Sequence, residues 1–262
     1  MRRSVEIENS IVKWKKVKGV VLVLAVLVIV AGANGAVLER HDFGAIAPGG
    51  WANSGTSTWA ALPQGSAVLA EDVLGLRGIV AKLGSTSWLQ VGADPVLNAD
   101  ITTQLSIDVW AYSASTSTAM QRIAGRAYDW YIDQAGTTRF ASFTFRDARA
   151  PATPITLVGN SVLNDSLWHH IVATYDAAAG TASLNVDGTI VTGTYASGGT
   201  VSQTATARYA IGARATSDTL GTSMFRGSVD DVRIYNTIIP EPTTIALLGL
   251  GSMLVRRFRR RS

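Results

Sequence analysis

Segments in which apolar and polar residues alternate recur through the middle of the chain. Alternation with a period of two is the pattern of a β-strand with one buried face, because successive side chains point to opposite faces. In one of them Asp187-Gly188 predicts a tight hairpin turn. The segments are 105–113 (LSIDVWAYS), 169–176 (HHIVATYD), 182–191 (ASLNVDGTIV), 208–214 (RYAIGAR) and 227–236 (GSVDDVRIYN).

The stretches between these segments predict loops rather than helices. Residues 113–118 (SASTST) and 196–200 (ASGGT) are rich in serine, threonine and glycine, and no apolar stripe at helical spacing is visible. Several strands carry bulky residues on both faces, which is typical of two packed sheets. The pattern therefore predicts an all-β, two-sheet antiparallel sandwich, and we expect Trp110, Trp168 and Tyr175 in its core.

The N-terminus has the pattern of a secretory signal peptide. Residues 1–18 contain six lysines and arginines against two glutamates, residues 20–30 are wholly apolar, and small residues follow. We predict that residues 1–33 are a signal peptide cleaved after Ala33, with Ala36 as the second choice. An uncleaved N-terminal anchor is the alternative. In both cases the remainder of the chain is exported.

The chain has a net charge of +4, and its excess of positive charge lies at the two ends. Residues 1–33 and 241–262 carry +4 each, whereas residues 34–240 carry −4. Binding to nucleic acid requires a basic surface, so there is no electrostatic reason to expect a nucleic-acid partner. The chain has no cysteine, which excludes disulfides and cysteine-ligated metals. Its stability therefore depends on the packed core.

Two stretches of the predicted sandwich resemble laminin G-like, concanavalin A-like jelly-roll domains. They are 165–188 (DSLWHHIVATYDAAAGTASLNVDG) and 224–236 (MFRGSVDDVRIYN), and the earlier strand 104–113 (QLSIDVWAYS) fits the same family. The resemblance covers about residues 70–237 in the expected order. It implies a jelly-roll domain over residues 34–237.

The C-terminal tail, residues 238–262, ends in an apolar run over 243–255 and five arginines. The run has 13 residues, fewer than the roughly 20 that span a bilayer. With Pro240, Glu241 and Pro242 before it, the tail resembles the PEP-CTERM sorting signal. The resemblance implies transient insertion into the inner membrane of a Gram-negative bacterium, with the arginines in the cytoplasm, and cleavage near these three residues by an exosortase-type enzyme. A plain C-terminal anchor is the alternative.

Some proteins with this fold hydrolyse glycosides, which requires two carboxyl groups in one cleft. Residues 34–240 contain only two glutamates, Glu39 and Glu71, and neither begins the Glu-x-Asp-x-x-Glu pattern of those enzymes. Asp230 and Asp231 are neighbours on a predicted strand, so we expect them on opposite faces. We therefore predict no catalytic site, and a glycoside-active enzyme stays as the alternative function.

Histidines and aspartates are the remaining polar candidates. The pair His169-His170 belongs to the stretch that resembles the family, so we expect one packed ring and one surface ring rather than a catalytic pair. The family resemblance also implies that Ca²⁺ is possible at a rim of the sandwich, bound by loop oxygens. No Asp-x-Asp-x-Asp loop is present, so no ligands are assigned among the candidates, which are Asp176, Asp187, Asp218 and Asp230.

Three tryptophans near predicted loops, Trp51, Trp59 and Trp130, could stack on sugar rings, although burial in the core is the more common role. We therefore interpret the chain as an exported cell-surface or extracellular-matrix protein. Its jelly-roll domain is expected to bind polysaccharide or another surface protein without catalysis. The ligand-binding residues stay unassigned at this level.

Overall fold

Two antiparallel sheets packed face to face make up most of the chain that the structure describes, as the alternating segments predict. In this computed structural model the described residues are 37–43, 46–47, 50–51, 53–55, 60–92, 100–204, 207–216 and 221–239. The predicted signal peptide, Trp59, Asp218 and the tail from residue 240 onward lie outside them. Within these ranges, no helix is long and apolar enough to cross a membrane.

The first sheet, sheet I, contains eight strands. Their order is β15 (Thr189–Thr194), β14 (Thr181–Val186), β13 (Trp168–Asp176), β8 (Gln104–Tyr112), β19 (Gly227–Tyr235), β6 (Ile79–Leu83) and β5 (Val68–Glu71), with β1 (Val37–His41) also paired to β19. The outer pairs in this order are hairpins of consecutive strands, whereas β8 and β19 pair with strands remote in sequence. The sheet thereby joins the beginning, middle and end of the domain.

The second sheet, sheet II, contains seven strands. Their order is β12 (Ile155–Val162), β11 (Phe140–Phe145), β10 (Trp130–Gln134), β9 (Gln121–Arg126), β16 (Tyr209–Ile211), β7 (Trp88–Gly92) and β4 (Leu62–Gln64). Two short ribbons complete the described strands. They are β2 (Ile46–Ala47) with β3 (Gly50–Trp51), and β17 (Arg214–Ala215) with β18 (Gly221–Thr222).

The core lies between the inner faces of the two sheets. Leu105, Ile107 and Val109 of β8 are fully buried, as the alternation predicts. Tyr175 of β13 stacks on Phe145 of β11 with ring centroids 4.0 Å apart, so the sheets are in direct contact. Burial raises the pKa of Tyr175 to about 12, because removal from water disfavours the phenolate. The predicted core position of Tyr175 is confirmed.

The hairpin between β14 and β15 follows its sequence signal. Asp187 and Gly188 have φ angles of 52° and 89°, the positive values that a type I′ turn requires at both central residues. The backbone N–H of Gly188 donates to Asn185 Oδ1 at 2.8 Å. This turn sets the register of the pair, in which Val186 lies opposite Thr189.

A bulge in β19 changes which side chains face outward. Asp231 has a φ angle of 49°, and the register with β8 shifts between Asp230 and Arg233. Val229 and Val232 are both fully buried, so the two aspartates between them lie on the outer face of sheet I. The expectation that Asp230 and Asp231 face opposite sides is therefore wrong, because the extra residue of a bulge interrupts the alternation.

The ribbon β17–β18 covers part of the outer face of sheet II. Trp88, Ala210 and Met224 pack against it in a small apolar cluster, and the backbone at Met224 forms a bridge with Arg122. Arg122 is 1% exposed, and its Nε donates to Asp133 Oδ1 at 2.5 Å. Burial raises the pKa of Asp133, although Arg122 opposes the shift. An ion pair is thus enclosed beneath the chain that leads into β19.

Candidate functional site

The outer face of sheet I carries an aromatic cluster. Trp110 and Trp168 are only half-buried, because each lies on the face of its strand opposite to the fully buried Val109 and Ile171. Trp110 stacks on His170 with ring centroids 4.7 Å apart. The prediction that the two tryptophans fill the core is wrong, since their positions in the alternation point away from it.

The loop between β5 and β6, residues 72–78, folds onto this cluster. Asp72 accepts a hydrogen bond from Trp168 Nε1 at 2.9 Å and three more from backbone N–H groups of the loop at 2.8 to 3.1 Å. Burial by itself would raise the pKa of Asp72, but these four donors hold it below its ordinary value. Asp72 therefore fixes the first half of the loop.

Arg77 fixes the other end of this loop. Its guanidinium carbon lies 4.2 Å from the centroid of Trp110 and 5.7 Å from that of Trp168, and its Nε donates to Asp230 Oδ2 at 2.6 Å. Cation–π contact and a charge-assisted hydrogen bond act together here. Burial raises the pKa of Asp230, although Arg77 opposes the shift. The loop is thus fastened at both ends.

An open cleft of about 500 Å³ lies beside the loop, at one end of sheet I. The ring of Tyr112 lines it and also contacts Trp168, with centroids 5.7 Å apart. The other walls come from the loop, from β6, from the segment after β8 and from the start of β19. Side chains that line the cleft include Glu71, Val73, Lys82, Ser115 and Arg226.

Gly227 allows β19 to run close to β8 at the base of the cleft. A Cβ atom at this position would lie 2.0 Å from the carbonyl oxygen of Tyr112, so only glycine fits. The pairing of β19 with β6 places Ser228 opposite Lys82, and the pairing with β8 places Ser228 opposite Tyr112. Three strands thereby bring one hydroxyl, one ammonium group and one aromatic ring together.

The two adjacent histidines lie next to this region and have carboxylate partners. His169 is buried, with its ring nitrogens 2.9 Å from Asp165 Oδ1 and 2.7 Å from Asp187 Oδ2. His170 is partly exposed and has its Nε2 2.7 Å from Asp108 Oδ1. One packed ring and one surface ring are what the sequence predicts. Each histidine links neighbouring segments of sheet I.

Three of the aspartates considered for Ca²⁺ are described, and these three do not meet. Asp176 accepts a hydrogen bond from Gln104, Asp187 lies against His169, and Asp230 is paired with Arg77. In the described part of the chain, no group of three or more histidine or acidic side chains could hold a metal ion. These three residues therefore do not form a common site.

Of the three tryptophans considered for sugar stacking, only Trp130 has a described side chain. Trp130 is fully buried, with its ring 6.0 Å from that of Tyr209, so it belongs to the core. For Trp51 only the backbone, in β3, is described. Sequence reasoning missed Tyr112, Lys82 and Arg226 as site residues. Tyr112 had a visible signal, an aromatic ring on the polar face of β8, whereas the two cations had none.

Two family models match the chain. The model of the concanavalin A-like lectin/glucanases superfamily, in its laminin G form, matches residues 83–243. The model of the PEP-CTERM protein-sorting motif matches residues 239–261. No curated protein matches the chain significantly. The sorting motif indicates an exported protein of Gram-negative bacteria, as the sequence of the tail predicts.

Solved structures share the sandwich at low sequence identity. Domain 4 of AbnA, a GH43 extracellular arabinanase from Geobacillus stearothermophilus in complex with arabinotriose, is 15% identical with a TM-score of 0.53, over 79% of this chain and 95% of that chain. A structure of botulinum neurotoxin type C is 12% identical with a TM-score of 0.56. Cell entry of that toxin depends on interaction with two ganglioside molecules. That alignment covers 82% of this chain but 50% of the toxin chain.

At these identities the likeness concerns the fold alone. The strand order, the packed core and the family model that spans most of the domain agree with one another. The predicted laminin G-like jelly-roll fold is therefore confirmed. The chain belongs to the concanavalin A-like lectin/glucanases superfamily.

Proposed function

We propose that the exported domain is a binding module of the cell surface or extracellular matrix, and that its cleft binds polysaccharide without cleaving it. The observation that carries this proposal is the composition of the cleft. It combines the aromatic ring of Tyr112 with hydroxyl and charged side chains in an open groove of about 500 Å³. Apolar surface for a sugar ring and a few polar groups for its hydroxyls are what a carbohydrate site needs.

The small number of carboxylates in the cleft argues for binding rather than hydrolysis. Glu71 is the only acidic side chain among the described residues that line it, whereas a retaining glycosidase needs two carboxyl groups about 5–5.5 Å apart. The neighbouring Asp72 directs both carboxylate oxygens to the loop backbone and to Trp168. Two structures that share the sandwich add support, because the arabinanase domain is in complex with arabinotriose and the neurotoxin interacts with two ganglioside molecules.

A second candidate is a surface protein as the partner. The tip of the loop exposes Val73 by 71% and Leu76 by 73%. Exposed apolar side chains on a fixed loop are typical of protein contacts. In this case Leu76→Ser would weaken capture of the partner while polysaccharide binding stays unchanged.

A glycan array with the full chain, kept in solution by mild detergent, tests the polysaccharide proposal. We expect binding that persists in EDTA, and Tyr112→Ala should weaken it about tenfold, which corresponds to about 1.4 kcal/mol. Tyr128→Ala is the matched control, because Tyr128 is a 39% exposed tyrosine on the turn between β9 and β10. Equal loss in both variants, or no glycan bound, would refute the proposal. Release of reducing sugar that Glu71→Gln abolishes would establish the enzymatic alternative.

We further propose that the tail is a processing signal. In this proposal residues 1–33 direct export, the arginines after residue 255 keep the C-terminus in the cytoplasm, and an exosortase-type enzyme cuts near Pro240, Glu241 and Pro242. The match to the sorting motif supports this proposal. Mass spectrometry of the extracellular protein from its host should find no peptide that ends at Ser262. Recovery of that peptide from the extracellular form would refute processing.

A further inference from the structure

Backbone hydrogen bonds hold Arg226 in place, and its side chain is exposed. Its N–H donates to Gln121 Oε1 at 2.8 Å, and its carbonyl oxygen accepts a hydrogen bond from Ser113 Oγ at 2.9 Å. The preceding residue, Phe225, is fully buried. Among the described residues, the exposed guanidinium of Arg226 makes no ion pair or hydrogen bond. Its position is therefore fixed while its five N–H donors stay available.

Arg226 also stands between two cavities. Beyond the cleft, a second cavity of about 340 Å³ is lined by the segments 117–121 and 221–224, together with Ser85 and Arg226. The chain after β8 and the chain before β19 continue from one cavity into the other. The cleft and this second cavity share Arg226 as a lining residue, and together they are called the track here.

The charge of the track differs in sign from that of the domain around it. Lys82 and Arg226 line it against a single acidic side chain, Glu71, whereas residues 34–240 together carry −4. Lys82, like Arg226, has no ion-pair partner among the described residues. The local excess of positive charge attracts an anion to the track, and the negative charge of the rest of the domain repels it elsewhere.

From this geometry we infer that the track binds an internal stretch of an anionic polysaccharide, with a carboxylate or sulfate group of the polymer on Arg226. This inference rests on the proposed function of the cleft and names its ligand class. A neutral polymer would cover Arg226 and Lys82 without supplying a counter-charge, which costs free energy. A carboxylate or sulfate accepts two parallel hydrogen bonds from one guanidinium and removes that cost. Hydroxyl side chains on both sides, such as Ser115 and Thr222, face the adjoining sugars.

Isothermal titration of the full chain with four polymers tests this inference. The probes are polygalacturonate, the same polymer after reduction of its carboxyl groups, dextran sulfate and unmodified dextran. We expect binding of the polyuronate, of the sulfated polymer or of both, and no binding of their neutral counterparts. Binding should weaken as salt is added, because exposed charges are screened. The polymer that binds identifies the anionic group.

Variants of Arg226 locate the site. Arg226→Gln should weaken binding of the anionic polymer about tenfold or more. Arg146→Gln is the control for charge alone, because Arg146 follows β11 and lines neither cavity. Arg146 also donates to the carbonyl oxygen of Pro151, so the folded state of this variant is checked by its unfolding temperature. Lys82→Gln is a second variant on the other wall, should Arg226→Gln fold poorly.

The outcomes separate the two proposals. If neutral and anionic polymers bind equally and Arg226→Gln has no effect, the anionic inference is overturned while polysaccharide binding stands. If Arg226→Gln and Arg146→Gln weaken binding equally, recognition at Arg226 is overturned. If none of the four polymers binds and the glycan array is also empty, the proposed function itself is refuted.

Discussion

Asp72 is the residue whose removal tests most directly how the cleft is built. Its side chain is almost fully buried, at 7% exposure, and accepts four hydrogen bonds that connect the loop 72–78 to β13 through Trp168. Asp72→Ala removes all four acceptor contacts at once. The loop should then detach from the aromatic cluster, and the wall of the cleft that carries Val73 should become disordered.

The expected loss of stability follows from these contacts. A hydrogen bond to a charged group contributes about 1.5–3 kcal/mol, but the backbone donors of the loop regain water when it opens. We therefore expect Asp72→Ala to lower the free energy of unfolding by about 2–3 kcal/mol rather than by the sum of four bonds. The indole N–H of Trp168 loses its acceptor in the same change.

Urea denaturation followed by tryptophan fluorescence measures this loss. Glu71→Ala is the matched control, because Glu71 is the neighbouring acid and is exposed, and its side chain makes no hydrogen bond within the described chain. Its effect should stay within about 0.5 kcal/mol. A loss below about 0.5 kcal/mol for Asp72→Ala would refute the role assigned to this carboxylate.

The pH dependence of the stability of wild type and Asp72→Ala gives a second readout. Because the pKa of Asp72 is lower in the folded than in the unfolded state, its contribution is complete above the unfolded value of about 3.9 and is lost as pH falls through the folded value. The difference in stability between wild type and Asp72→Ala should therefore shrink in that acidic range. A constant difference down to about pH 2 would contradict the assigned cause.

Three further predictions concern buried residues of the two sheets. Tyr175→Ala removes a fully buried ring that stacks on Phe145, and unfolding by heat or urea should show a loss of about 3–5 kcal/mol. Arg122→Ala leaves the buried Asp133 without its partner, so we expect the free energy of unfolding to fall by about 3–5 kcal/mol. Part of this loss should be recovered at low pH, where Asp133 is protonated, and no recovery would contradict the prediction. Gly125→Ala places a Cβ atom 2.5 Å from Tyr131 Cβ, so the variant should express poorly or unfold at a lower temperature than wild type. Unchanged stability would show that the backbone of β9 can move enough to accommodate the added atom.

The sequence by itself determined the strands, their buried faces and the tight turn. Leu105, Ile107 and Val109 are buried because a strand alternates its side chains, and this property is local. The turn at Asp187-Gly188 is local as well, since both residues adopt positive φ angles. The sorting motif is also a local pattern, made of three residues, an apolar run and a basic end.

Only the tertiary structure decided where the exposed aromatics and charges meet. Trp110 and Trp168 lie on outward positions of their strands, but the loop that carries Arg77 to them is remote in sequence. The bulge at Asp231 left no signal in the alternation. Lys82 and Arg226 reach one cleft because β6 and β19 pair in sheet I. Strand pairing between distant segments is set by the packing of the whole core, and no local pattern records it.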